Sequence, residues 1–132
     1  SNLFYYNFFS YYFYYGKISI ELSKNEKEEN MNKNIFVAIL SYKRPLEEIN
    51  EKREEHLTFI NDYVLSGKFI AVGRQNPAIG GVIIAHNITR KEFETILIND
   101  PYYTNKLAEH TIVEFTPGMF AQGIEESLEK LK

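Results

Sequence analysis

The run of residues from Asn34 to Ser41, with the sequence NIFVAILS, most constrains how this chain can fold. It is apolar almost throughout and rich in β-branched residues, and polar residues bound it on both sides. Such a run is typical of a central β-strand, because a strand at a solvated surface would alternate apolar and polar residues. The sheet that contains this strand therefore needs cover on both of its faces.

A helix is predicted directly after this strand. Pro45 suits the start of a helix, and Glu47 and Glu48 lie in the first turn, where the helix dipole favours negative charge. Ser66 and Gly67 supply a stop signal. The pattern predicts one helix of about twenty residues. The apolar residues at helical spacing are Leu46, Ile49, Leu57, Ile60 and Val64.

Three more strands and two shorter helices are predicted in the rest of the chain. The first of these two helices begins with a capping box, in which Glu92 follows Thr89 by three residues, and it ends at the turn Asn99-Asp100-Pro101. The nine residues from Gly73 to Gly81 are predicted to form a loop. The predicted strands are residues 68–73, 82–86 and 109–115, and the predicted helices are residues 90–98 and 122–132.

The predicted order is β-α-β-β-α-β, followed by a tail helix. This is the split βαβ order of ferredoxin-like α+β folds, in which the sheet is antiparallel. The helices cover only one face of such a sheet. We expect a second copy of the same sheet to cover the other face, which predicts a homodimer with facing sheets, a dimeric α+β barrel.

Residues 1–30 differ in composition from the rest of the 132-residue chain. Ten of its twenty aromatic residues lie between Phe4 and Tyr15. That run is too short and too rich in Tyr for a membrane span, and it lacks the flanks of a signal peptide. We interpret residues 1–30 as an aromatic leader that is not native or is accessory, with Met31 as the natural start. An extra strand or hairpin is the alternative, because aromatic residues favour strands.

We divide the rest of the chain into a domain at residues 31–120 and a C-terminal helix at residues 121–132. Its charge and cysteine content exclude several classes of protein. Residues 31–132 carry 12 basic and 14 acidic side chains, and the chain contains no cysteine. This balance argues against nucleic-acid binding, and the absence of cysteine argues against a disulfide framework. We expect a cytoplasmic protein that binds neither nucleic acid nor membrane.

Three histidines are the first candidates for chemistry. His86 and His110 lie at strand ends, where we expect ordinary edge residues, and no spacing indicates a metal site. His56 lies at the margin of the buried face of the first helix, one turn from Arg53. It could be a satisfied boundary histidine, or a general acid/base if an acceptor fixes its tautomer. Asp100 could be that acceptor, or it could cap the turn before Pro101.

The glycine-bearing loop from Gly73 to Gly81 could contact a ligand. It joins two strands and has neither the Walker nor the Rossmann spacing, so the loop gives no support for nucleotide binding. Arg74 and Asn76 are candidate substrate contacts because both bring polar groups to this loop. Basic residues are interleaved with acidic ones along the first helix, which is typical of a solvated helix face.

Several motifs together resemble the YciI-like, or YCII-related, family of small bacterial α+β domains that form dimeric α+β barrels. The resemblance runs from Asn34 to about Phe120. Where relatives carry Gly-Pro after the second strand, this chain has Gly73-Arg74, which adds a charge at the mouth of the expected pocket. The motifs are the residues 42–49 (YKRPLEEI), 53–57 (REEHL), 73–81, 100–103 (DPYY), 108–109 and 113–117 (VEFTP).

The resemblance implies a His–Asp catalytic pair, which falls on His56 and Asp100. It implies a cofactor-independent enzyme of lyase or isomerase type that acts on a small cyclic or aromatic molecule. Substrate contacts are then expected at Arg74, Asn76 and Tyr102, with no metal. The alternative is a dimer that binds or senses a small ligand without turnover.

Overall fold

The computed structural model describes residues 33–131, so the prediction for the aromatic leader concerns residues outside the described part. Within residues 33–131 the chain forms four strands and five helices. They are β1 (Ile35–Tyr42), α1 (Leu46–Glu51), α2 (Arg53–Leu65), β2 (Phe69–Arg74), β3 (Gly80–Ala85), α3 (Arg90–Asn99), α4 (Pro101–Thr104), β4 (Ala108–Phe115) and α5 (Ile124–Glu129).

The four strands form one antiparallel sheet in the order β2-β3-β1-β4. This order confirms the predicted ferredoxin-like α+β fold, and it makes β1 a central strand. In the middle of the sheet Ala38 lies between Ile83 of β3 and Ile112 of β4. β1 therefore sets the register of both of its neighbours.

The side chains of β1 point alternately to the two faces of the sheet. Phe36, Ala38 and Leu40 are buried beneath the helices, as alternation along a strand requires. The opposite face is also apolar but is only partly covered: Val113 is 50% exposed and Phe115 is 45% exposed. By register, the apolar side chains that β1, β3 and β4 place on this open face are Ile35, Val37, Ile39, Val82, Ile84, Val113 and Phe115, and Thr111 lies beside them.

The first helical segment is broken at Lys52, so the prediction of one continuous helix is wrong. Lys52 has φ −103° and ψ 4°, outside the helical region, and its N–H bonds to the Ile49 carbonyl at 3.1 Å in a tighter turn. The helix restarts at once, because the His56 N–H donates to the Lys52 carbonyl. Neither proline nor glycine marks the break in the sequence. The break places Arg53 in the first turn of α2.

The loop between β2 and β3 is shorter than predicted, since β2 includes Arg74 and β3 already begins at Gly80. Only residues 75–79 connect them. Pairing extends this far because Gly80 lies against the Leu40 carbonyl, where a Cβ atom would collide with the backbone. The Gln75 side chain also donates to the Leu40 carbonyl, at 3.0 Å.

The second helical region matches its predicted start and continues beyond its predicted end. Thr89 and Glu92 form the predicted capping box at the start of α3. Asp100 ends α3, and then serves as the N-cap of the one-turn helix α4, with Pro101 at its first position. The tail helix α5 spans only Ile124–Glu129 and buries no residue. No helix among residues 33–131 is long and apolar enough to cross a membrane.

Candidate active site

The candidate catalytic pair consists of a histidine on α2 and an aspartate at the junction of α3 and α4. His56 Nδ1 lies 2.7 Å from Asp100 Oδ1. Both residues are buried, and Asp100 is only 1% exposed. The structure therefore brings together two residues that are 44 positions apart in the sequence.

Asp100 performs both of the roles that the sequence left open. Its Oδ1 accepts the Tyr102 backbone N–H at 3.0 Å, which caps α4, and the same oxygen meets His56. An N-cap carboxylate is fixed by the helix it caps, because its oxygen is bonded to the first-turn amide. The cap therefore holds the carboxylate in place for the histidine.

The hydrogen bond assigns the tautomer of neutral His56. An ionised carboxylate can only accept, so Nδ1 carries the proton and donates it to Asp100. Nε2 is then left as an acceptor, and it has no hydrogen-bond partner among residues 33–131. This is the arrangement of a general base, in which Nδ1 is held by the carboxylate and Nε2 can accept a proton.

Tyr102 fixes the plane of the imidazole. Its ring stacks on His56 with centroids 3.8 Å apart and an interplanar angle of 7°, and Tyr42 meets Tyr102 edge-on at 6.0 Å. Burial raises the pKa of Tyr102 above its usual value, and the Arg74 guanidinium partly offsets that rise. The phenol consequently remains protonated around neutral pH and is available as a donor.

His56 and Tyr102 open onto a cavity of about 1040 Å³ between α2 and the β1–β3–β2 part of the sheet, here called the main cavity. Its size suits a small organic molecule. Leu57 and Val64 on α2 line it, and each is 42% exposed. The helical spacing of these two apolar residues therefore marks the wall of a cavity and not only the packed core. The polar lining residues are Tyr42, Asn50, Arg53, Glu54, His56, Thr58, Asn61, Arg74 and Tyr102.

Arg74 lies at the edge of this cavity and is held by neutral acceptors. Its Nε donates to the Tyr42 hydroxyl at 3.1 Å, and its Nη2 donates to Asn50 Oδ1 at 2.8 Å. The guanidinium carbon is 5.8 Å from the centre of the Tyr42 ring. The hydrogen bond with Tyr42 is the main reason that the pKa of Arg74 is raised.

Four of the five predicted site residues meet at this place. His56, Arg74 and Tyr102 line the main cavity, and Asp100 lies behind His56. Asn76 does not line it; it is exposed in the 75–79 loop, and its contact with a substrate stays a prediction.

Sequence reasoning gave no role to three other cavity residues: Tyr42, Asn50 and Arg53. Arg53 could have been found, since it precedes His56 by three residues and such pairs share a helix face. Tyr42 and Asn50 owe their place to contacts with Arg74 across 32 and 24 residues. No local pattern in the sequence encodes those contacts.

The other two histidines lie elsewhere. His86 directly follows the last residue of β3; it is buried, and its Nε2 lies 2.8 Å from the Gly67 carbonyl. His110 is half-buried on β4, with the ring of Tyr103 5.4 Å away. Among residues 33–131 no group of three or more His, Asp or Glu side chains could hold a metal ion.

Asp100 also lines a second, small cavity beside His110. The volume of this cavity is about 10 Å³, close to that needed for one water molecule. The second carboxylate oxygen, Oδ2, is buried without a hydrogen-bond partner among the described residues. Burial lowers the pKa of His110, whereas the negative charges of Asp100 and Glu94 oppose that shift.

A comparison with known protein families finds one matching domain. The YCII-related domain matches residues 35–116, which include β1 through β4 and both members of the His56–Asp100 pair. No curated protein matches the chain.

Two solved structures are among those to which this chain is similar. One is 5-chloro-2-hydroxyhydroquinone dehydrochlorinase from Burkholderia phenoliruptrix AC1100 in complex with 2,5-dihydroxybenzoquinone; it is 18% identical, with a TM-score of 0.54 over 64% of this chain and 95% of the enzyme. The other is SnoaB, a cofactor-independent oxygenase from Streptomyces nogalater, 15% identical, with a TM-score of 0.42 over 67% of this chain and 96% of SnoaB. The likeness to the dehydrochlorinase establishes a shared fold and no shared substrate.

The Asp100 carboxylate should contribute strongly to stability. Asp100→Ala removes the acceptor of two buried N–H groups, so we expect the free energy of unfolding to fall by about 2–5 kcal/mol. Asp100→Asn keeps an oxygen in the place of Oδ1 and should cost clearly less. Urea denaturation of both variants measures the difference, and equal stabilities would contradict the proposed geometry.

His110 should make the fold less stable in acid. Its folded-state pKa lies below the unfolded value of about 6.5, so below that pH the unfolded chain binds more protons and the free energy of unfolding falls. The loss should develop as the pH drops from about 6.5 through the folded pKa, and His110→Gln should reduce the slope. NMR titration of His110 measures the shift directly; a midpoint at or above 6.5 would disprove it.

Proposed function

We propose that this chain, which belongs to the YCII-related domain family, is a small cytoplasmic enzyme that needs no cofactor and uses His56 and Asp100 for general acid/base chemistry. The reaction is of lyase or isomerase type, on a small cyclic or aromatic molecule. The buried His56–Asp100 hydrogen bond at the wall of a large cavity is the observation that carries this proposal.

The proposed proton transfer uses Nε2 of His56. This nitrogen removes a proton from the bound substrate and later returns it to a leaving group or to a neighbouring carbon. Asp100 steadies the imidazolium that forms in between, because its Oδ1 already accepts from Nδ1. Proton transfer of this kind supplies about 10²–10⁴-fold in rate, which suits elimination and isomerisation.

The rest of the main cavity is suited to hold the substrate. Arg74 and Tyr102 bring donors close to His56, and the apolar walls on α2 and the sheet accept a hydrocarbon ring. The stacked Tyr102 ring keeps the imidazole from turning away. The dehydrochlorinase that shares the fold is named for a small chlorinated aromatic substrate, which supports a molecule of similar size here.

A turnover screen on substituted phenols and lactones tests the catalytic proposal. His56→Ala should lower turnover of any substrate found by about 10²–10⁴-fold, because it removes the base. His86→Gln is the matched control: His86 is also buried and bonded through one ring nitrogen, but it does not line the main cavity. Its turnover should stay close to that of the unaltered protein.

Two outcomes would count against the catalytic proposal. Equal turnover in His56→Ala and the unaltered protein would remove the base from the mechanism. Ligand binding without turnover by either protein would favour the other candidate function, a dimer that binds or senses a small molecule.

We also propose that the protein is a homodimer in which the open faces of two sheets meet. That face carries seven apolar side chains by register, several of them partly exposed to solvent in the single chain. An apolar surface of this kind is stabilised by burial against another one, and a twofold axis lets the same patch serve both copies.

Val113→Glu tests this interface. It places a charge on the open face, opposite Val37 of the central strand β1, so we expect the mass measured by light scattering to fall from that of a dimer to that of a monomer. Leu65→Glu is the matched control, because Leu65 is 77% exposed at the end of α2, away from the sheet. A dimeric Val113→Glu protein, or a monomeric unaltered protein, would contradict the proposal.

A further inference from the structure

The arginines of this chain fall into two pairs with different partners. The chain has four, and all four lie in the described residues. Arg44 is bonded to the Glu48 carboxylate, and Arg90 is bonded to Glu94 and approaches Glu114. Arg53 and Arg74 have no carboxylate partner among residues 33–131, and these two are the ones that line the main cavity.

Arg74 is held in place but keeps donors free. Tyr42 and Asn50 accept one N–H each and the Tyr102 hydroxyl is also within reach, whereas a guanidinium carries five N–H groups. Both acceptors are neutral, so they orient the cation without cancelling its charge. A planar guanidinium in this state matches the two oxygens of a carboxylate, which it binds through parallel hydrogen bonds.

Arg53 adds a second positive charge at the same end of the cavity. It lies three residues before His56 on α2, and its charge acts on the Tyr102 hydroxyl, which is also close to Arg74. Glu54 is the acidic side chain in the lining, and no ion pair joins it to either arginine within the described residues. The end of the cavity beside His56 therefore carries two cations that are not neutralised by ion pairs.

The opposite end of the cavity wall is mostly apolar and carries no charge. Along α2 the lining changes from Arg53 and His56 to Leu57, Ile60 and Val64, with the neutral polar residues Thr58 and Asn61 beside them, and Val72 faces them from β2. The distance from Arg53 to Val64 along the helix axis is about 16 Å, at 1.5 Å per residue. The cavity therefore has a cationic end and an uncharged, mostly apolar end.

We infer that the ligand of the main cavity is a carboxylate with an apolar body, whose carboxylate group is bound by Arg74 and Arg53 and whose ring or chain lies against Leu57, Ile60 and Val64. The inference rests on the proposed function for the role of His56 and specifies the substrate class of that site. A carboxylate anchored at Arg74 keeps the ligand on the His56 side of the cavity, because Tyr102 stacks on His56 and is also close to Arg74.

Binding of benzoate and of its neutral counterpart benzamide tests the inference without turnover. NMR titration should give a dissociation constant for benzoate about tenfold or more below that for benzamide, since the hydrogen bonds to a charged group are the stronger ones. Arg74→Met should remove this preference, and Arg53→Met should reduce it. Arg44→Met is the matched control, because Arg44 is paired with Glu48 outside the cavity, and the preference should remain.

Four results would overturn the inference. The first three are equal affinity for benzoate and benzamide, no detectable benzoate binding even near its solubility limit, and a preference that survives in the Arg53→Met/Arg74→Met double variant. Tighter binding of 4-nitrophenolate than of benzoate would replace the carboxylate by a phenolate and would also overturn it. The amide ¹H–¹⁵N spectrum of each variant shows whether it is folded.

His56→Ala separates this inference from the proposed function. It keeps both arginines, so the preference for benzoate should persist although the base is gone. Loss of turnover in His56→Ala, without any preference for benzoate over benzamide, would leave the enzyme proposal standing and contradict the inference that the ligand is a carboxylate. A clear preference for benzoate together with unchanged turnover in His56→Ala would leave the carboxylate inference standing and remove His56 as the base.

Discussion

One buried carboxylate organises the candidate site. Asp100 is bonded to the His56 ring and to the Tyr102 amide, and so it joins α2 to the start of α4. Each following contact depends on it: Tyr102 stacks on His56, Tyr42 packs edge-on against Tyr102, and Arg74 bonds to Tyr42. Elements that are distant in the sequence are thereby held in one arrangement around the cavity.

Much of the fold follows from local patterns. The apolar run in β1 predicts a central strand, and the Thr89–Glu92 spacing predicts the capping box; the structure contains both. The sequence also offered two roles for Asp100, a turn cap or a partner of His56, and these are not true alternatives. Capping immobilises the carboxylate, and an immobilised carboxylate is what a histidine partner requires.

Other features depend on tertiary contacts and could not be predicted. The break at Lys52 has no glycine or proline to mark it, so the pattern indicated an unbroken helix. Leu57 and Val64 have helical spacing and yet are half-exposed, because they form a cavity wall. Periodicity identifies the face of a helix but does not distinguish a packed core from a lined cavity. Tyr42 joins the site through two long-range contacts, the hydrogen bond from Arg74 and the edge-on packing against Tyr102.

The position of Arg74 bears on how proteins with this architecture can diverge. β1 carries apolar side chains towards both faces of the sheet, so almost any polar replacement along it disturbs one apolar surface or the other. Arg74 lies on β2, an edge strand, with its side chain exposed. A change of charge there alters the mouth of the cavity and leaves the sheet intact. Ligand preference can therefore drift between descendants of one ancestor, while the central strand and the anchored histidine stay the same.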